Sequence, residues 1–239
     1  MLIRYLYIFL FLNCISIFSQ NRARIKYSIV PTGGSLEKNQ EVINSKVVSS
    51  FMGVDEALSK LNYELIINEE KSNFYLISIM DFNEKAARIA RAFAGNNEYF
   101  KDQQKRIVIK KNNFSNEIFH VLLEAKSNWN LINEHKIING YVCYKATQVK
   151  KLRLKKTDQT YNVDAWYCPA ININNGPKEF GGLPGLILEL QDGKITFLAS
   201  KIELDSILKL TIKEVSEKLI LEDEFYKIVE KTVESTSGL

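Results

Sequence analysis

The stretch Leu186-Ile-Leu-Glu-Leu-Gln-Asp192-Gly193-Lys-Ile195-Thr-Phe-Leu198 decides how this chain is read. Two short apolar runs, 186–190 and 195–198, flank an Asp-Gly pair. Such a pair between apolar runs marks a β-hairpin, because both residues tolerate the positive φ of a type I′ turn. Upstream, residues 141–154 and 161–167 repeat the arrangement on a larger scale around the polar stretch 155–159. Residues 25–29, 63–67, 74–77, 106–109, 118–123 and 129–132 are further β-branched or aromatic runs bounded by polar clusters, each read as a strand. Helical spacing is rarer. Residues 81–83 cap a predicted helix over 84–93, with Ala86, Ile89, Ala90 and Phe93 on one face and Gly95 at its end. Leu221, Phe225, Ile228, Val229 and Val233 predict a C-terminal amphipathic helix, and residues 54–61 are a weaker helical stretch. The expected fold class is mainly β with an α+β tendency: a curved antiparallel sheet or open half-barrel with a few helices, the C-terminal amphipathic one among them.

Between Trp166 and Leu186 the pattern breaks. Pro169, Pro177 and Pro184 lie there with Gly176, Gly181, Gly182 and Gly185, interleaved with Ile171, Ile173, Phe180 and Leu183. Proline fixes φ and glycine permits positive φ, so this composition specifies a long loop with a defined path. A long loop with apolar residues must pack them, and such loops are often functional. Trp166, Tyr167, Phe180 and Leu183 are therefore the candidate ligand-binding residues, either lining a binding mouth or supporting the loop from the core. Residues 181–185 read as a rigid turn feeding the 186–190 strand.

The N-terminal MLIRYLYIFLFLNCISIFSQ carries one charge, Arg4, ahead of an apolar run over 5–18. That length suits a signal-peptide core of about 7–15 residues better than a membrane span of about 20. Residues 1–20 are expected to be a cleavable signal peptide, with a retained anchor as the competing reading, and 21–239 a single exported domain without a membrane span. The chain is 25% charged and 46% hydrophobic with a formal charge of +4, ordinary values that point to no nucleic-acid partner. After cleavage Cys143 and Cys168 are the remaining cysteines, in a compartment where disulfides persist. If they oppose each other in the long hairpin, its turn centres between Lys155 and Lys156, inside the predicted turn. They form a candidate disulfide.

The run Phe180-Gly-Gly-Leu-Pro-Gly-Leu-Ile187 contains the string GLPGLI and resembles the GLPGLI family, exported proteins of the Bacteroidetes group. Asn68, Ser72, Phe74, Trp129, residues 134–137, 140–147 and 165–167, Pro169, Ile171, Gly176 and Pro177 are similar to that family in the same order, over about residues 60–200. The resemblance implies an envelope protein with no assigned catalytic residues. Its strand-rich layout is similar to the open half-barrels of periplasmic lipoprotein carriers, an analogy of fold.

No catalytic, cofactor or metal-binding constellation stands out. His120 lies in an apolar run and His135 in a polar one, with no paired-histidine spacing, and residues 181–185 lack the Lys-Ser/Thr of a phosphate loop. The basic run 150–156 reads as a solvated hairpin arm, its charges guarding against edge pairing, or as a contact for anionic head groups. The expected function is a non-enzymatic, exported or periplasmic binding protein for an apolar small molecule or an envelope protein. The alternatives are a small hydrolase or Cys-dependent enzyme near Cys143 and the Pro/Gly loop, and an accessory subunit of an outer-membrane assembly.

Overall fold

The structure, a computed structural model, describes residues 22–31, 53–77, 84–124, 128–153, 158–204, 211–212, 215 and 218–237. The expected signal peptide and the 81–83 cap lie outside the described residues. In chain order the elements are β1 (Arg22–Pro31), α1 (Val54–Ser59), β2 (Asn62–Asn68), β3 (Lys71–Leu76), α2 (Glu84–Ala94), β4 (Glu98–Asp102), β5 (Ile107–Phe114) and β6 (Glu117–Leu123). They continue with β7 (Asn130–Ile138), β8 (Tyr141–Arg153), β9 (Asp158–Cys168), β10 (Leu186–Asp192), β11 (Ile195–Leu204), β12 (Leu219–Leu221) and α3 (Glu222–Ser237). The protein is mainly β. The strands form one 12-stranded sheet in the order β12-β6-β5-β4-β3-β2-β1-β11-β10-β9-β8-β7, which does not close into a barrel. Every pairing is antiparallel except β12 with β6.

Strand register sorts the side chains onto two faces, since successive residues of a strand point to opposite sides. One face carries Tyr27, Tyr63, Phe74 and Phe197, which are fully buried and pack as an aromatic cluster at the centre of the core. The same face carries Lys101 of β4 and Lys150 of β8. Seven strand-to-strand steps separate β4 from β8, about 34 Å on a flat sheet at about 4.8 Å per step. Yet the Lys101 ammonium donates to the Phe180 carbonyl at 2.5 Å, and the Lys150 ammonium lies 5.0 Å from the centre of the Phe180 ring. Two lysine side chains cannot bridge that flat distance, so the sheet curls and its inner face wraps around Phe180. This is the expected half-barrel, and its contents come from its own chain.

The long hairpin adopts the expected register. Arg153 pairs with Asp158 and Tyr144 with Tyr167, the register that sets Cys143 opposite Cys168. The Asp192-Gly193 hairpin forms too, with a different turn. Asp192 is the last strand residue, opposite Ile195, and Gly193 has φ 67 while Lys194 is not among the positive-φ residues. Positive φ at the first central residue alone is the type II′ pattern. Helix α2 runs one residue beyond its expected span and buries Ala86, Ala87, Ala90 and Ala94, while Phe93 is 44% exposed. The alanine row lets α2 approach α1 closely, which a Phe on that face would prevent. At the other end, the expected C-terminal helix starts after the short strand β12, which claims Leu221, and it packs Phe225 against Phe119 and Phe114.

Candidate functional site

Residues 169–185 leave the end of β9, cross the inner face and return to β10. Backbone bonds hold the loop at both ends: Leu186 N–H donates to the Ile171 carbonyl and Ile187 N–H to that of Asn175. Its apolar side chains, Ile171, Ile173, Phe180 and Leu183, are all buried in the core. Two glycines permit the close packing. At Gly185 φ is +144, and a Cβ would stand 2.2 Å from the Cys168 carbonyl oxygen. At Gly176 a Cβ would stand 2.7 Å from Ile187 Cδ1. The stretch expected to be a rigid turn has the conformation only glycine takes without strain.

A buried polar set holds the loop to the half-barrel. Lys101, 8% exposed, donates its three ammonium hydrogens to Asn175 Oδ1 at 2.9 Å, the Gly176 carbonyl at 2.8 Å and the Phe180 carbonyl at 2.5 Å. Asn175 in turn donates to Ser72 Oγ at 2.8 Å. Burial pushes the Lys101 ammonium down to about 7, against a smaller upward pull from Glu179. On the far wall, Lys150 pairs with Glu179 at 2.8 Å and Asp192 at 3.3 Å, Lys178 pairs with Asp192 at 2.8 Å, and Tyr161 donates to Asp192 at 2.7 Å. Burial alone pushes both carboxyls up, but Lys150 and Lys178 outweigh it and hold Glu179 and Asp192 below their usual ranges. Where the loop passes β4 and β5, a cleft of about 490 Å³ opens, lined by Lys101, Val108, Glu179, Gly181 and Gly182, with Glu70, Asp102 and Arg106 towards its mouth.

Beyond the loop the inner face is bare along the edge hairpin β7–β8. Leu131 (56%), Ile137 (72%), Val142 (46%) and Tyr144 (40%) are exposed there. Register puts all four on the inner face: Ile137 opposes Val142, Leu131 opposes Ala146, and Tyr144 opposes Tyr167. Strand β7 ends the sheet, and among the described residues no strand pairs with its outer edge. A register shift between Ile132 and His135 interrupts it midway.

The residues singled out from sequence fall in three places. Tyr167, Phe180 and Leu183 are buried core residues that carry the loop. Trp166 lies on the outer face, half-buried, with the Lys136 ammonium 4.3 Å over its ring and Glu189 pairing that lysine at 2.7 Å. Register thus separates Trp166 from Tyr167. Cys143 and Cys168 are free, buried thiols, opposed one step outside the Tyr144–Tyr167 pair. Burial, then the neighbouring Cys168, pushes the Cys143 thiol up to about 12. His135 shares the inner face with Tyr144, 6.3 Å away between ring centres, and so points away from Cys143. His120 is buried on β6. Among the described residues no group of three His, Cys, Asp or Glu is placed to hold a metal ion.

The polar set was not singled out from sequence. Lys150 belongs to the run read as a solvated arm, and Lys151 beside it is indeed exposed, but Lys150 turns inward. In the sequence Asp192 reads as a turn residue beside Gly193. The one available signal was period two: Lys150 sits two residues from Gln148 and four from Ala146, on the buried face of β8.

A family model described as "Protein of unknown function (Porph_ging)" matches residues 150–189, from the last inward lysine of β8 through the loop to β10. No curated protein matches. Among solved structures the chain is similar to PNGF-II, in space group P21, with a TM-score of 0.50 and 16% identity, covering 88% of this chain and 33% of that one. The chain spans about a third of that structure's length, and at this identity the likeness is one of fold.

Proposed function

We propose that this is an exported, GLPGLI-type envelope protein that binds a partner protein, and that the edge hairpin β7–β8 is its binding surface. The observation that carries this reading is the exposed apolar strip of Leu131, Ile137, Val142 and Tyr144, lying on the inner face beside a sheet edge. Solvent-facing side chains of an edge hairpin are ordinarily polar, which protects against unwanted pairing. An extended segment added alongside β7 satisfies its outward backbone groups and covers the strip, the β-augmentation mode of recognition. At the centre of the inner face Ile171, Ile173, Phe180 and Leu183 are buried in the core, and the cleft left beside the loop is lined by charged residues, so no comparable apolar surface remains there for a small apolar molecule. The string GLPGLI at residues 182–187 supports the family assignment, since it falls within the matched span.

The test is the pair of substitutions Ile137→Lys and Val142→Lys. Both side chains are exposed, so the melting temperature should stay within a degree or two of wild type, roughly the 0.5 kcal/mol expected at the surface. Co-purification of a discrete envelope protein with the wild type should be lost in the variant. Saturable binding of a fluorescent fatty-acid probe by both forms would instead support a small apolar ligand.

A further inference from the structure

Helix α2 turns a basic face to solvent. At 3.6 residues per turn, its buried row of Ala86, Ala87, Ala90 and Ala94 leaves Lys85, Arg88 and Ala92 on the opposite side. Arg91 lies on one flank of that side, and Ile89 and Phe93 lie on the other. Lys85, Arg88 and Arg91 are exposed, Ile89 is half-buried, and Phe93 is 44% exposed. The three bases recur every third residue, within reach of one another along the helix. Like charges so placed destabilise a helix, and a face that meets only water ordinarily sets acids among its bases. Arg88 and Arg91 have no carboxylate partner among the described residues. Glu56 of the adjoining α1 pairs instead with Lys60 at the end of its own helix.

An anionic lipid surface fits both halves of this face. Guanidinium groups bind phosphate oxygens in paired, charge-assisted bonds, and every base near such a surface gains from its negative potential. A large apolar side chain beside the bases reaches the boundary between head groups and acyl chains, as in helices that lie in a membrane interface. We propose that α2 docks the protein on a membrane surface of anionic lipid, with Lys85, Arg88 and Arg91 on the head-group phosphates and Phe93 entering the layer beneath them. The face is presented preformed. The alanine row packs α2 against α1, and the carbonyl of Gly95 at its end accepts the hydroxyl of Tyr63, a member of the aromatic cluster, at 2.5 Å. Binding therefore need not order the helix first, a cost that a disordered basic segment would carry. This surface is separate from the edge hairpin and stands whether or not that hairpin binds a partner.

Sedimentation with vesicles tests it, using phosphatidylcholine alone and phosphatidylcholine with phosphatidylglycerol in equal parts. The protein should bind the anionic vesicles far more tightly than the neutral ones. That preference should fade as salt rises from about 0.1 to about 1 M, because the screening length falls from about 10 to about 3 Å. Arg88→Gln together with Arg91→Gln should weaken anionic binding by about 25-fold, at about fivefold for each base. Phe93→Ser should weaken it as well, without removing its dependence on salt. The control pair, Lys151→Gln with Lys194→Gln, removes the same charge from exposed positions on two other hairpins and should bind close to wild type. All five side chains are exposed, so melting curves should show every variant folded. No preference for anionic vesicles, an equal loss in the control pair, or full-strength binding by either α2 variant overturns the proposal.

Discussion

Replacing Gly185 with alanine probes the junction where the loop rejoins the sheet. The added methyl would stand 2.2 Å from the Cys168 carbonyl oxygen, 2.5 Å from its carbon and 2.9 Å from Pro169 Cα. Ordinary contact begins near 3.4 Å, and all three atoms are backbone, so no side chain can swing away. Holding alanine at φ +144 adds strain of about 1–3 kcal/mol. Pushing the β9 end aside costs about 1–3 kcal/mol more, as overpacking does elsewhere. At about 2–4 °C per kcal/mol for a chain of this size, the melting temperature should fall on the order of 10 °C. Gly181→Ala is the control, since its Cβ would meet nothing closer than 3.6 Å and its φ is not in the positive range. Parallel thermal melts decide the matter. If Gly185→Ala melts within about 2 °C of wild type, the loop is not fixed at this junction and the packing argument fails.

Three further outcomes follow from the buried charges and thiols. Asp192 and Glu179 are held below their usual ranges in the folded chain, so the stability they contribute is present above the unfolded carboxyl values and lost as pH falls through the folded ones. Urea midpoints should therefore drop below about pH 4, and Asp192→Asn should flatten that dependence while lowering stability at neutral pH by about 3–5 kcal/mol; an unchanged midpoint at neutral pH would show the pairs to be incidental. Lys101 runs the other way: between about pH 7 and the ordinary lysine value of 10.5 the unfolded chain keeps a proton that the folded one releases, so stability rises with pH across that window. A Lys101→Met variant should lose this rise, and a parallel rise in the variant would assign it to another group. Cys143 and Cys168 are buried and free, so thiol labelling should find them unreactive in the folded protein and should count two labelled thiols per chain once it is unfolded without reductant; no labelled thiol after unfolding would show the opposed pair to be bridged.

The hairpins were legible because turn residues and period-two runs are local signals. Residues 141–168 and 186–198 pair as read, even though the second turn is type II′. Strand β4 was not legible: in Glu98-Tyr-Phe-Lys-Asp102 a buried lysine stands where alternation leads one to expect an apolar residue. The same physics hid the polar set. Lys101, Lys150, Glu179 and Asp192 lie far apart in sequence and meet only because the sheet curls, so no spacing connects them. Proline and glycine marked the loop between Trp166 and Leu186, but not that it would fill the half-barrel. That outcome depends on Ile171, Phe180 and Leu183 finding the aromatic cluster of Tyr27, Phe74 and Phe197 across the sheet.

Site-specific photo-crosslinking in the intact envelope tests the central claim most directly. A photoreactive residue placed at Ile137 or Val142 should give one discrete protein adduct, and the same residue at Lys201 on the opposite face, or at Lys151, should give none. Adducts of equal yield at all four positions, or none at Ile137 and Val142, would contradict an edge-hairpin binding surface.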